Sequence, residues 1–86
     1  MQYNLKIFPP YFNAIKSGAK TFEVRQKTNN YQVGDFLILQ EWDGMTYSGN
    51  EITAKVTYIL DDPLYCKSNM VIMAIDVMLI THDEFC

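Results

Sequence analysis

The stretch Ser17-Gly18-Ala19-Lys20-Thr21-Phe22-Glu23-Val24-Arg25 decides how this chain is read. Gly18 can take the left-handed conformation that closes a helix. From Lys20 to Arg25 the residues alternate as in a strand, with Phe22 and Val24 on one face and Thr21, Glu23 and Arg25 on the other. Nine residues thus end one element, begin the next and gather a cation, a hydroxyl, a carboxylate and a guanidinium. If the polar face lines a cavity, its charges must pair with one another or with a ligand, because isolated buried charge is costly. If it faces water, the same residues are a solvated charge ladder. Glu23 and Arg25 stand about 7 Å apart at Cα on one strand. The planar fork of Arg25 suits a phosphate, a carboxylate or a base edge.

Upstream, Tyr3, Leu5 and Ile7 alternate with Asn4 and Lys6, the pattern of a half-buried strand that Pro9-Pro10 ends. Proline is tolerated in a first helical turn, and Tyr11, Phe12, Ala14 and Ile15 follow at helical spacing. Pro9 to Ser17 therefore reads as a short helix with its aromatic face on a sheet. Lys16 in its last turn favours the dipole.

Downstream, Lys27 to Asn30 and Val33-Gly34-Asp35 are turns. Phe36 to Trp42 opens almost wholly apolar, as a central strand covered on both faces does. Asp43-Gly44 and Ser48-Gly49-Asn50 bracket a hairpin loop containing Met45 and Tyr47. Glu51 to Leu60 alternates with Ile52, Ala54, Val56 and Tyr58 inward. Asp61-Asp62-Pro63 breaks it, and Met70 to Ile80 is expected as the last and longest strand, with Met70, Met73 and Met78 filling the core. Asp76 faces either the cleft or outward, and Thr81 to Cys86 is a frayed tail in which His82 is inert. One helix among about five strands in so short a chain predicts a mainly β (α+β) fold: a closed or nearly closed barrel with one short N-terminal helix, a single domain over residues 1–86.

The bulk numbers narrow the function classes. Hydrophobic residues make up 49% and charged residues 20%, a globular composition. No apolar run reaches the roughly 18 residues of a membrane span. The start of the chain lacks the cationic and apolar regions of a signal peptide, so a cytoplasmic location is expected, with Cys66 and Cys86 reduced. The single histidine and the wide cysteine spacing predict no metal site and no cofactor. A net charge of −3 argues against bulk phosphate binding. The charge is uneven, however: Lys6, Lys16, Lys20, Arg25 and Lys27 face Glu23 alone in residues 1–34, while residues 35–86 set Lys55 and Lys67 against all the other acids. A local cationic patch on an acidic body fits a small anionic ligand or a defined piece of RNA.

Gly18, Lys20, Thr21, Glu23 and Arg25 after a short helix, then Gly34-Asp35, Leu39-Gln40-Glu41 and Val56-Thr57-Tyr58-Ile59-Leu60, resemble the ASCH domain of the PUA-like superfamily. Within it the chain looks like a small ASCH-type family of bacterial and phage proteins, over Leu5 to about Val77. The resemblance implies a PUA-like β-barrel with a cleft beside the helix, lined by Lys20, Glu23 and Arg25 and binding RNA or a nucleotide-like ligand. One group of the superfamily resembles an acetylcytidine amidohydrolase whose motif reads Lys-Thr-x-Thr-x-Arg. Lys20 matches its lysine, but Glu23 stands where its nucleophilic threonine would be, and only Asp61 and Asp62 stand near its later glutamate. A carboxylate is a poor substitute for that hydroxyl.

The ligand-binding candidates are therefore Lys20, Thr21, Glu23 and Arg25, with Tyr31 and Trp42 as the first-ranked stacking platforms for a base. Tyr11, Tyr47, Tyr58 and Tyr65 read better as packing residues. Two alternatives stay open: an amidohydrolase acting on a modified nucleoside, and a protein-interaction module acting through its acidic half, including Asp61, Asp62, Asp83 and Glu84.

Overall fold

The computed structural model describes residues 1–82. Strand β1 (Gln2–Ile7) leads into helix α1 (Pro9–Lys16), followed by β2 (Phe22–Gln26), β3 (Phe36–Trp42), β4 (Tyr47–Leu60) and β5 (Met70–Thr81). The five strands form one sheet in the order β1-β3-β4-β5-β2, curled into a half-barrel. β1 runs parallel to β3, and every other neighbouring pair is antiparallel. No helix among the described residues is long and apolar enough to cross a membrane.

The helix starts with two prolines whose missing N–H groups no helix bond needs. Phe12 and Ile15 lie one turn apart and are each 1% exposed. Tyr11 is an exception to the expected aromatic face, because the residue adjacent to a buried Phe12 must point elsewhere. At the other end Gly18 sits at φ +86, and the Lys20 N–H turns back to donate to the Ala14 carbonyl at 3.0 Å. That closure satisfies a helix-end carbonyl and fixes where β2 begins.

The concave face carries the core: Ile7, Leu37, Leu39, Ile52, Ala54, Val56, Val71, Met73 and Ile75, with Phe12 and Ile15 of the helix packed in. Full burial of one such side chain stabilises by about 1.5–3 kcal/mol. An exposed pair such as Lys27–Asp61, at 3.6 Å, contributes about 1 kcal/mol or less. The inner face therefore holds the fold. A second anchor is the turn before β3. Gly34, at φ +97, and Asp35 exchange backbone hydrogen bonds with Val56 at 2.8 Å each. The buried Asp35 carboxylate accepts from the Met1 ammonium at 3.0 Å and from the Gln32 N–H at 2.8 Å. Burial alone would raise its pKa. Those two donors and the positive charge outweigh it and hold the carboxyl below its ordinary 3.8.

Several strand expectations change. β4 begins at Tyr47, not Glu51, because the turn is tight: the Asp43 side chain accepts from the N–H groups of Met45 and Thr46. That makes β4, at 14 residues, longer than the 12-residue β5. A bulge at Thr57 reverses the alternation: Val56 is opposite Ile75 and buried, whereas Tyr58 is opposite Ala74 and 62% exposed. Met78 is 56% exposed and does not fill the core as Met73 does, because it lies an odd number of positions away on the strand; the irregularity that passes over it brings Ile80 opposite the buried Ile52. β3 is fully buried on one face only, since Leu37 and Leu39 are inaccessible but Phe36 is 37% exposed. Cys66 is buried, its thiol 3.4 Å from the Leu60 carbonyl. Asp76 is exposed and paired in register with Lys55.

Candidate functional site

β1 and β2 are the two outer strands of the sheet, and the curl brings their free edges face to face. No backbone ladder joins them. The Arg25 guanidinium reaches across, its Nη2 donating to the Lys6 carbonyl at 2.9 Å. Beside this strut opens a cleft of about 470 Å³ lined by Lys6, Ile7, Phe8, Tyr11, Lys20, Phe22, Glu23, Val24 and Arg25. The cleft wraps the free edge of β2, so residues from both faces of that strand line it.

The register of β2 on β5 determines which face the charges occupy. Glu23 is opposite Met73 and Arg25 is opposite Val71, both core residues, so the charged face is the inner one. Glu23 is 3% exposed. Its Oε1 accepts from Lys20 Nζ at 2.7 Å and its Oε2 from Arg25 Nε at 2.8 Å. The solvated-ladder reading therefore does not hold. Lys20 also donates to the Phe22 carbonyl at 2.7 Å, and its ammonium lies 4.9 Å from the Phe22 ring centre and 5.9 Å from that of Tyr11. Among the described residues no buried side-chain nitrogen or oxygen lacks a hydrogen-bond partner. Lys20 and Arg25 keep about a fifth of their side-chain surface exposed, 18% and 23%, so the network forms a floor that a ligand can touch.

The walls are aromatic and aliphatic. Phe8, Tyr11 and Phe22 are each roughly half exposed, at 49%, 54% and 43%. Such half-exposed rings around a charged floor can take a flat, polar-edged group, stacking its face and hydrogen-bonding its rim. Among the described residues no cluster of His, Cys, Asp and Glu is arranged to hold a metal ion.

The structure brings together Lys20, Glu23 and Arg25 and leaves three other candidates off the cleft lining. Thr21 is exposed, and its carbonyl accepts from the Ile75 N–H at 3.1 Å. Tyr31 is 8% exposed, set edge-on to Tyr3 at 5.0 Å, with its hydroxyl accepting from Asn29. It lines a smaller depression on the far side of Arg25, together with Leu5, Gln26, Thr28 and Met70. Trp42 stands behind the wall, its ring 5.5 Å from Phe8 and beneath the Lys6 ammonium at 4.6 Å. Of the acidic half, Asp61 is exposed and the Asp62 carboxylate caps the turn at the Leu64 N–H. Asp83, Glu84 and Cys86 lie outside the described residues.

Sequence reasoning missed Lys6, Phe8 and Phe22 as cleft residues and read Tyr11 as packing. The exposed position beside Phe12 was a usable signal for Tyr11. For Lys6 and Phe8 there was none, since only the strand order shows that the β1 edge meets the β2 edge.

The family model described as Domain of unknown function (DUF3850) matches residues 2–75, a span that includes every cleft residue. The chain is also similar to the "Uncharacterized 12.9 kDa protein in GpA 3'region" of Escherichia phage P2. The two are 36% identical over 59 residues, which are 69% of this chain and 54% of that protein. The chain thus spans about half the length of that relative.

Proposed function

The chain belongs to the family described as Domain of unknown function (DUF3850), and on that premise we propose that it is a binding domain for a nucleotide or a short unpaired stretch of RNA, held in the cleft between β1 and β2. The observation that carries this reading is the buried Glu23 with a cation on each oxygen, at the floor of an open, aromatic-walled cleft. A base would stack against Tyr11 and Phe22 while Lys20 and Arg25 donate to its acceptors. The resemblance of the Gly18-to-Arg25 segment to the ASCH motif supports the same role, and so does a curled sheet with one short helix, which suits a PUA-like barrel. We place the protein in the cytoplasm, where the thiol of Cys66 would stay reduced.

The hydrolase alternative gains no support from the geometry. Both Glu23 oxygens are engaged by cations, and Thr21 is off the cleft lining. For the acidic half, the described residues offer Asp61 at the rim of a second depression, where it pairs with Lys27, and nothing there favours a protein partner.

The test is fluorescence-polarisation binding of short single-stranded RNAs and thermal-shift screening of mononucleotides, with Tyr11→Ala and Phe22→Ala beside the wild type. Both rings are exposed, so these variants keep the fold, whereas Arg25→Ala would remove the strut between β1 and β2. Loss of a stacking ring should cost about 1–3 kcal/mol, a weakening of roughly 5- to 150-fold. Absence of binding to every RNA and nucleotide at millimolar concentration, or affinity untouched by both variants, refutes the reading.

A further inference from the structure

Lys6 is a cleft-lining cation with no ion pair among the described residues. It leaves the face of β1 opposite the half-buried Leu5 and the buried Ile7, at the outer rim of the cleft. Its ammonium rests instead over the Trp42 ring at 4.6 Å and toward the Tyr47 ring at 6.0 Å. Those two residues face each other across the β3–β4 hairpin. Aromatic faces orient a cation without neutralising it. The Lys6 backbone carbonyl also receives Arg25 Nη2, so the two side chains leave neighbouring points of the seam. Arg25 spends its Nε on Glu23 and one N–H on that carbonyl, out of five donors on the guanidinium. Across the cleft Lys6, Lys20 and Arg25 stand against Glu23 alone, a net charge of +2 on a chain whose total is −3. Glu23 offsets only one of Lys20 and Arg25, so one unit of the surplus stays on that pair and the other is on Lys6.

We propose that Lys6 and Arg25 form a phosphate subsite at the β1 side of the cleft, so that the ligand is recognised as a phosphorylated nucleotide and not as a free nucleoside. This rests on the reading of the cleft as a base-binding site and adds to it the class of ligand. A terminal phosphate carries about −1.5 to −2 charge near pH 7, which matches the +2 of the cleft, whereas a phosphate within an RNA strand carries a single charge. The fork of Arg25 and the point charge of Lys6 supply the planar and the adaptable donor that phosphate sites use together.

The experiment is isothermal titration of the four ribonucleosides, their 5′-monophosphates and the corresponding dinucleoside monophosphates, against wild type and Lys6→Met, with inorganic phosphate as a further probe. Lys6 is exposed and its backbone contact survives the substitution, so melting temperature serves as the fold control. In the wild type a 5′-monophosphate should bind about tenfold tighter than its nucleoside, and less so at high salt. The ratio should fall toward one in Lys6→Met. A dinucleoside monophosphate that shows the same Lys6-dependent gain identifies the phosphate as one within an RNA strand, and no such gain identifies it as terminal. Equal binding of nucleoside and monophosphate overturns the subsite and leaves the base site standing. If neither binds, the base site fails and inorganic phosphate decides: Lys6-dependent binding upholds the subsite, and none overturns it.

Discussion

Replacing Glu23 with glutamine removes one charge and almost no volume, from a side chain that is 3% exposed and bonded by Lys20 and Arg25 at 2.7 and 2.8 Å. The amide oxygen can still accept from one cation, but the amide nitrogen then points a donor at the other. Hydrogen bonds to charged groups contribute about 1.5–3 kcal/mol each. Breaking a fully buried ion pair from one side costs about 3–5 kcal/mol. The cations here keep 18% and 23% of their side-chain surface in water, so they recover part of their hydration. The expected loss is therefore about 2–3 kcal/mol, below the fully buried figure. For a domain of this size that is a fall in Tm of roughly 8–24 °C. Urea denaturation followed by circular dichroism should show the midpoint falling with the slope unchanged, as a loss of stability without a change in exposed surface requires. Adding Lys20→Met to Glu23→Gln should recover part of the loss, because the donor facing the amide nitrogen is gone. A loss under about 0.5 kcal/mol, the range of ordinary surface changes, would mean that Glu23 is effectively solvated and that the charged face of β2 does not line the interior.

Three further outcomes follow from the same structure. Gly18→Ala meets no atom within 4 Å but must hold φ +86, so it should destabilise by about 1–2 kcal/mol in thermal melts; no effect would mean the helix closes some other way. The Asp35 carboxyl titrates below its ordinary value, so its contribution is present above about pH 4 and is lost as pH falls through the lowered folded-state pKa. Asp35→Asn should therefore be less stable than wild type at pH 7, with the gap closing toward pH 2, and a gap constant from pH 7 to 2 would refute this. Leu39→Ala should cost about 2–5 kcal/mol and Tyr58→Ala under about 1 kcal/mol by urea melts, and the reverse order would contradict the bulge at Thr57.

Local patterns in the sequence carried much of this. Period-two alternation located β1, β2 and most of β4, apolar runs located β3 and β5, Pro9-Pro10 and Gly18 bracketed the helix, and the juxtaposition of Lys20, Glu23 and Arg25 was legible because all three lie on one short strand or at its start. Features that depend on partners were not legible. Tyr58 matches the inward pattern in sequence, and only the extra residue at Thr57 turns it out. Tyr31 looks like an exposed turn aromatic until the Tyr3 ring is set against it. Lys6 and Phe8 become cleft residues only when β1, paired beside β3, curls round to face β2 at the far end of the sheet. The outward apolar row of Phe22, Ala74 and Tyr58 is a register property of the same kind.

The most direct test of the account is a ¹⁵N-resolved NMR titration of the protein with a short single-stranded RNA and with 5′-mononucleotides. The account predicts saturable shifts concentrated at Lys6, Phe8, Tyr11, Lys20, Phe22 and Arg25, on both edges of the cleft, weakened by Tyr11→Ala. Shifts absent at millimolar ligand, or confined to residues away from the β1–β2 seam, would contradict it.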